Sequence, residues 1–384
     1  MKAIKIIILL SIVVMMASAK GFAYFSTTFW GVRAMGMGGA FTAVANDASA
    51  PIYNAAGPGF MKSAEVTGMA SKLFAGLNDV EINDDFLAGV VPINDTIGSI
   101  SAGWGHFGGV GLYTEDTVYL GYARNLNDLI KLDWMQIALG VNAKYLSHSL
   151  DTSHSYDPVG TLSTDAIAID VGIMAKFSNG ITVGYSGRQL NTPNMGFYSD
   201  LGSYDILAAN DLGVSYYSEK LPILGLPKFT IAADYLMRGG DNTLAFGAET
   251  RVIDGALALR VGGWSEQINL GIGYELKIGD SALLIDYAFG MPFDVQETIG
   301  SHFISLGYRF ASPTPKPQVA SAQPQQSLQA AQPAPEAPAV QQSSPDTSNQ
   351  SSVSSDNSSN SSGDTSSSNS NDSDFDAAKY LLNQ

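Results

Sequence analysis

The sequence predicts an all-β protein: a 14-stranded antiparallel transmembrane β-barrel with a small N-terminal plug and a disordered C-terminal tail. Three observations carry this expectation. Apolar and polar residues alternate with a period of two through residues 64–310. The apolar face of such a segment runs unbroken for about ten residues, the length of a tilted membrane strand. The intervening positions carry glycine and charge. A Lys or Arg facing lipid at mid-bilayer costs about 2–4 kcal/mol, so these charges are expected to line a lumen.

Composition agrees. The 384 residues include 20 Lys and Arg against 36 Asp and Glu, a net charge of −16, and no cysteine. That balance argues against a nucleic-acid partner, which calls for a basic stripe. The missing cysteine removes disulfides, thiolate metal sites and a cysteine nucleophile. Glycine (40 residues) and Tyr and Phe (17 each) are abundant, while charged residues make up only 15%, low for a water-soluble domain.

Residues 1–23 have the layout of a signal peptide. Lys2 and Lys5 precede the apolar run IIILLSIVVMM, and small-x-small sites end at Ala19 and Ala23, either of which suits cleavage. The apolar run is too short for a comfortable membrane span. Residues 24–63 are a Gly/Ala-rich segment, expected as a plug or hatch. Residues 64–310 are the barrel. Residues 311–384 open with ASPTPKPQ and end in Ser/Asn/Asp repeats. This Pro/Gln/Ser/Asn-rich tail lacks the apolar content to offset ordering entropy and is expected to be disordered. It starts directly after the last strand, so it is expected in the periplasm. Its flexible span, on the order of 50 Å, gives it reach for a periplasmic partner.

Strands are expected near 64–76, 84–91, 97–107, 116–124, 133–148, 164–177, 180–188, 208–218, 226–237, 243–252, 255–263, 266–277, 280–289 and 300–310. The even number suits a bacterial single-chain barrel. In the fifth, Met135, Ile137, Leu139, Val141, Ala143 and Tyr145 share the lipid face, opposite Gln136, Ala138, Gly140, Asn142 and Lys144. In the twelfth, Ile268, Leu270, Ile272, Tyr274 and Leu276 oppose Asn269, Gly271, Gly273, Glu275 and Lys277. Asn179-Gly180, Asp254 and Gly279-Asp280 have tight-turn chemistry and fall at one end. The long gaps 149–163 and 189–207 fall at the other, together with the short connections 238–242 and 264–265, so the division is incomplete.

Residues 31–59, GVRAMGMGGAFTAVANDASAPIYNAAGPG, raise a separate question. A phosphate loop needs a preceding strand and a Lys-Ser/Thr after the glycines, and neither is present. Small residues permit close backbone approach, so a short helix packed within the barrel is expected, with Asn46-Asp47 and Tyr53–Pro58 as cap and turn. The candidate plug residues are Gly31, Arg33, Gly36, Gly38, Gly39, Asp47, Asn54 and Gly57. Arg33 and Asp47 are expected to pair with lumen charges. Those charges are Lys144, Asp170, Asp234, Glu249, Arg251, Arg260, Glu275, Asp286 and Arg309, with Arg238 beside them. Their interspersed signs favour a charge network over paired catalytic acids.

The stretch resembles the N-terminal signature of FadL/TodX-like outer-membrane proteins, above all their PorV/PorQ branch. Gly31, Arg33, Ala34, Gly36, Gly38, Gly39, Ala40, Asp47, Asn54, Ala56 and Gly57 match it. LLIDYAF followed by GSHFISLGYRF resembles that branch's last two strands. The signature's Asn-Pro-Ala is Asn54-Ala55-Ala56 here, leaving a less rigid turn. The resemblance implies a bacterial outer-membrane barrel with both termini periplasmic. It also implies passive transport of a hydrophobic small molecule with the N-terminal segment as hatch, or, on the PorV-type branch, handling of a secreted protein. A structural envelope protein using its tail is a further class.

No enzyme, cofactor or metal site is expected. His148 and His154, placed in an external loop around Asp151, match no ligand spacing. His106 joins no motif, and His302 begins the last strand. The assignable inward faces are mostly Gly, Asn and charge, with Met174 and Leu284 as apolar exceptions. Residues 195–207 are the apolar stretch left for a ligand or for loop packing.

Overall fold

The computed structural model describes residues 30–77, 81–109, 112–153, 160–197, 204–220, 226–238, 241–295 and 297–312. The expected signal peptide at 1–23, residues 24–29 of the plug segment and the tail from residue 313 onward lie outside these.

Fourteen antiparallel strands close into one barrel, each paired with its neighbours in sequence and the last with the first. They are β1 (Glu65–Ala75), β2 (Ile82–Asn94), β3 (Gly98–Gly109), β4 (Tyr113–Asn125), β5 (Met135–Asp151), β6 (Thr161–Phe177) and β7 (Ile181–Arg188), followed by β8 (Ala209–Lys220), β9 (Pro227–Arg238), β10 (Asp241–Val252), β11 (Leu257–Trp264), β12 (Gln267–Ile278), β13 (Ser281–Pro292) and β14 (Gly300–Arg309). Closure is by the β1–β14 ladder, from Glu65 opposite Arg309 to Ala75 opposite Gly300, with one irregularity between Lys72 and Ala75. Closure removes the free edge that an open sheet leaves.

The end where β1 starts and β14 finishes, the terminal end, carries the glycine-bearing tight turns expected from sequence, while Arg238 opposite Asp241 and Trp264 opposite Gln267 mark equally short connections at the other end. Gly180 and Gly279 take positive φ at the terminal end, and so does the run Ile253-Asp254-Gly255. Asn179 Oδ1 accepts from the Ile181 amide across the β6–β7 turn. The opposite end is uneven. The β5–β6 hairpin pairs as far as Asp151 and Thr161, whereas β11 ends at Trp264, opposite Gln267.

Burial follows the period of two. Leu270 (54% exposed) and Ile304 (57%) point outward, while Asn269 and Asp234 (both 0%) point inward. Met135 departs from its expected outward place: it lies at the terminal rim and is buried. The outer wall thus presents Leu, Ile, Val and aromatic side chains to the surroundings with no second layer to cover them. An inward pair such as Lys144–Asp170 is sealed from solvent. In lipid vesicles, Ile272→Arg, outward at the middle of β12, is expected to lower the unfolding free energy by about 2–4 kcal/mol. Ser265→Arg, in the β11–β12 turn, is expected to cost at most about 1 kcal/mol. Urea titration followed by tryptophan fluorescence measures both.

Candidate functional site

Residues 30–61 fill the lumen. They form α1 (Val32–Gly36), α2 (Ala50–Tyr53) and a 3-10 turn (Gly57–Phe60) joined by irregular chain. Helices this short satisfy few of their own amides and carbonyls, and a buried backbone group without a partner is costly. The wall supplies the partners. Asp234 Oδ2 accepts from the Phe41 and Thr42 amides, both at 2.8 Å. Glu65 Oε1 accepts from the Ala48 amide at 2.9 Å. Asn142, Ser99 and Ser215 donate to the carbonyls of Pro51, Pro58 and Ala43. Asn54 ties the segment to itself and to β6: its Nδ2 donates to Thr42 O and Ile173 O, and its Oδ1 accepts from the Ala56 amide. This is the turn-forming role expected of Asn54.

Close backbone approach explains the glycines on both sides. A Cβ on Gly140 would lie 1.9 Å from Ala55 O, and one on Gly172 2.6 Å from the Ala56 nitrogen. On Gly184 it would lie 2.4 Å from Thr42 O, and on Gly247 2.3 Å from Met37 O. From the segment's side, a Cβ on Gly36 would lie 3.0 Å from Gly271 Cα, and one on Gly57 2.2 Å from Ala45 O. Gly38 adopts φ 63°, and a Cβ there would reach Gly263 N at 2.0 Å. Gly31 (φ 93°) faces Ser49, while Gly39 (φ 72°) has open space beside it. The wall glycines sit at inward positions of β5, β6, β7, β10 and β12. Sequence reasoning assigned them to a polar lumen; only the segment lying against them gives the reason.

A charge cluster fastens α1 near the terminal end. Arg33 grips Glu249 at two points, Nε–Oε2 at 2.8 Å and Nη2–Oε1 at 2.9 Å. It also donates to Asn46 Oδ1 and to Asp47 Oδ2. Glu249 is shared with Arg260 at 2.7 Å and Arg251 at 3.4 Å. Arg260 reaches Asp286 at 2.6 Å. Arg251 and Arg309 share Glu275, and Arg309 also pairs Glu65 at 2.9 Å. Burial alone would pull the Arg33 guanidinium down, but Glu249 beside it outweighs this and holds it above its ordinary value. Burial likewise pushes the Tyr53 phenol up. A polar cavity of about 50 Å³ lies within the cluster, room for a few waters.

The expected pairing of Arg33 with the wall is thus present. Asp47 differs: its pairing is with Arg33 on the segment, and its Oδ1 accepts from the Ser49 amide and hydroxyl. Lys144 and Asp170 form a separate pair at 2.6 Å. Asp234 binds backbone rather than joining the network. Glu65, Asp84, Arg188 and Asp211 were not singled out from sequence. Arg188 and Arg238 flank Asp211 at 3.0 and 3.2 Å, and Asp84 accepts from the Trp30 indole. The strand alternation held this signal, since all four fall on inward positions.

The lumen is less polar than expected. Inward-facing Met69, Leu73, Phe86, Tyr119 and Phe303 join Met35, Met37, Phe41 and Ile52 of the segment in one apolar cluster, with Trp30, Phe107 and Trp264 packed on it. Trp30 stacks on Phe86 with centroids 5.4 Å apart. Met174 also belongs to the cluster, so the expected apolar exception proves one of many. Leu284 lines the polar cavity. At the far mouth, Met195 and Ile206 of the β7–β8 connection pack on Leu146 and Ala168 of the wall. His148 corrects the expected loop placement. Strand β5 extends to Asp151, so His148 faces inward, bonding Tyr113 Oη at 3.1 Å and Met195 O at 3.0 Å and stacking on Phe197. His154 lies outside the described residues.

No protein-family model matches the sequence, and no curated protein matches it significantly. Among solved structures, a Pseudomonas aeruginosa FadL homologue aligns over 77% of this chain and 100% of its own at 12% identity, with a TM-score of 0.46. The Pseudomonas putida toluene transporter TodX aligns over 76% and 98% at 12% identity, TM-score 0.44. The Acinetobacter baumannii outer membrane protein Omp33 aligns over 66% and 99% at 9% identity, TM-score 0.36. At these TM-scores the likeness carries no argument about function.

Glu249→Ala leaves Arg33 only Asp47 and Arg260 only Asp286, and is expected to cost up to about 3–5 kcal/mol, the loss typical of breaking a buried pair, read by chemical unfolding in lipid vesicles. Gly247→Val drives a side chain against Met37 O. It is expected to expose residues 30–60 to added protease while the barrel keeps its heat-dependent gel mobility, at a cost of about 1–3 kcal/mol.

Proposed function

We propose that the chain is an outer-membrane channel of the FadL-like kind that passes hydrophobic small molecules passively, with residues 30–61 as its hatch. The carrying observation is the division of the lumen. An apolar, aromatic cluster gathers around Trp30, Phe86, Phe107 and Phe303, and a segment rooted in the charged cluster near the terminal end blocks the passage beyond it. Apolar side chains without an open water path suit a greasy solute and exclude hydrated ions.

A closed barrel with an apolar outer wall satisfies every strand edge, as hydrocarbon surroundings require. Strand β1 begins and β14 finishes on the side of the turns at Gly180, Asp254 and Gly279, which the proposal assigns to the periplasm. The segment is fastened by side chains and small-residue contacts rather than by strand pairing, so it moves without unzipping the wall. Asp234, Arg33 and Glu249 are the positions expected to set how readily it lets go.

Uptake of radiolabelled toluene into liposomes holding the full chain tests the proposal. Uptake above protein-free liposomes is expected, with a small hydrophilic dye excluded. Deleting residues 30–60 is expected to admit the dye and speed toluene several-fold. Unchanged flux in the deletion, with the barrel intact by circular dichroism, removes the hatch. No uptake by the full chain removes the transport role.

A further inference from the structure

A second cavity, of about 310 Å³, lies near the terminal end between the lumen segment and the inner wall of β6–β9. Ala43 and Val44 of the segment give it apolar surface. Thr182, Ser215 and Thr230 add hydroxyl-bearing side chains, and Asn46 an amide. The half-buried Lys176 of β6 lines it as well. Gly180, in the β6–β7 turn, is part of the same lining, so the cavity lies on the side of the lumen segment toward the chain ends.

Lys176 differs from its peers. The inward-facing cations in the middle and charged part of the lumen hold carboxylates: Lys144 with Asp170, Arg188 and Arg238 with Asp211, Arg260 with Glu249 and Asp286, and Arg251 and Arg309 with Glu275. Lys176 has no carboxylate within 4.0 Å among the described residues; its ammonium instead lies over the Phe60 ring, 4.2 Å from the centroid. The chain has 36 acidic residues for 20 basic ones, so acids are not scarce. The ring steadies the ammonium but brings no countercharge, and a half-buried ammonium gains most from an anion that binds it directly.

We propose that this cavity binds a small organic carboxylate with an apolar body. The charged group meets Lys176, with the hydroxyl side chains around it, and the body lies against Val44 and Ala43. The volume is at the lower end of small-molecule sites, which fits one aromatic or short aliphatic acid. A bare inorganic anion leaves the apolar wall uncovered, and a neutral analogue leaves Lys176 without a counterion. Ser215 Oγ already donates to Ala43 O, and Tyr217 Oη to Glu219, so the ammonium is the group that discriminates. The proposal rests on the transport reading only for its compartment, the periplasmic side of the hatch, where such an acid is held on leaving or entering.

Titration calorimetry on the full chain in detergent tests it, with benzoate as probe, benzyl alcohol as neutral counterpart and inorganic phosphate as bare anion. Benzoate is expected to bind, and the other two to bind more weakly by roughly tenfold or more, the worth of one charge-assisted contact. Lys176→Met is expected to lose benzoate by a similar factor while Lys176→Arg retains it. Lys176→Gln serves if the Met variant does not fold, folding being checked by circular dichroism. Absent benzoate binding, equal binding of benzyl alcohol or phosphate, or undiminished binding by the neutral variants each overturns the site. Toluene uptake by Lys176→Met is expected to match the unmodified chain. Failure of this site with intact uptake, and failure of uptake with an intact site, are therefore distinct results.

Discussion

Thirty-odd residues of irregular chain inside a sealed tube must find partners for their backbone, and that constraint shapes most of the interior. Bulk water reaches few of them, and α1 and α2 are too short to serve themselves. The wall therefore turns acceptors toward segment amides, through Asp234 and Glu65, and donors toward segment carbonyls, through Asn142, Ser99 and Ser215. A strand would have met the same need by joining the sheet, but the sheet is already closed. Side-chain bonding gives a segment that is held firmly and yet is not part of the wall.

The wall glycines belong to the same constraint. A hydrogen bond from a segment amide to a short Asp side chain, or from a Ser hydroxyl to a segment carbonyl, works only where the two backbones approach closely. Gly140, Gly172, Gly184 and Gly247 remove the side chains that would keep them apart. Their number in this chain is a record of the segment's path along the inner surface. The departure at Asn54-Ala55-Ala56 is accommodated in the same way: Asn54, rather than a proline ring, fixes the turn through three hydrogen bonds.

Charge is arranged to be retained rather than displayed. The cluster of Arg33, Arg251, Arg260 and Arg309 with Glu65, Glu249, Glu275 and Asp286 is nearly balanced, which lowers the cost of holding so many ions in a confined space. Its partners come from β1, β10, β11, β12, β13, β14 and the segment, so one network ties the barrel's closing seam to the material inside it. The apolar cluster on Trp30 needs no such balance.

Alternation of side chains by twos was enough to specify the strand count, the faces and the inward place of Lys144, Asp170, Asp234, Glu249, Arg260 and Asp286. Those properties are local: a residue's face depends on its neighbours two positions away. Partnership is not local. That Arg33 takes Glu249, 216 positions along, that Asp234 serves backbone, that inward Phe86 and Phe303 meet Trp30, and that Lys176 is left without an acid all depend on which strands curve to face each other across the lumen. A period of two fixes the direction in which a side chain points; only barrel closure around the segment fixes what it meets.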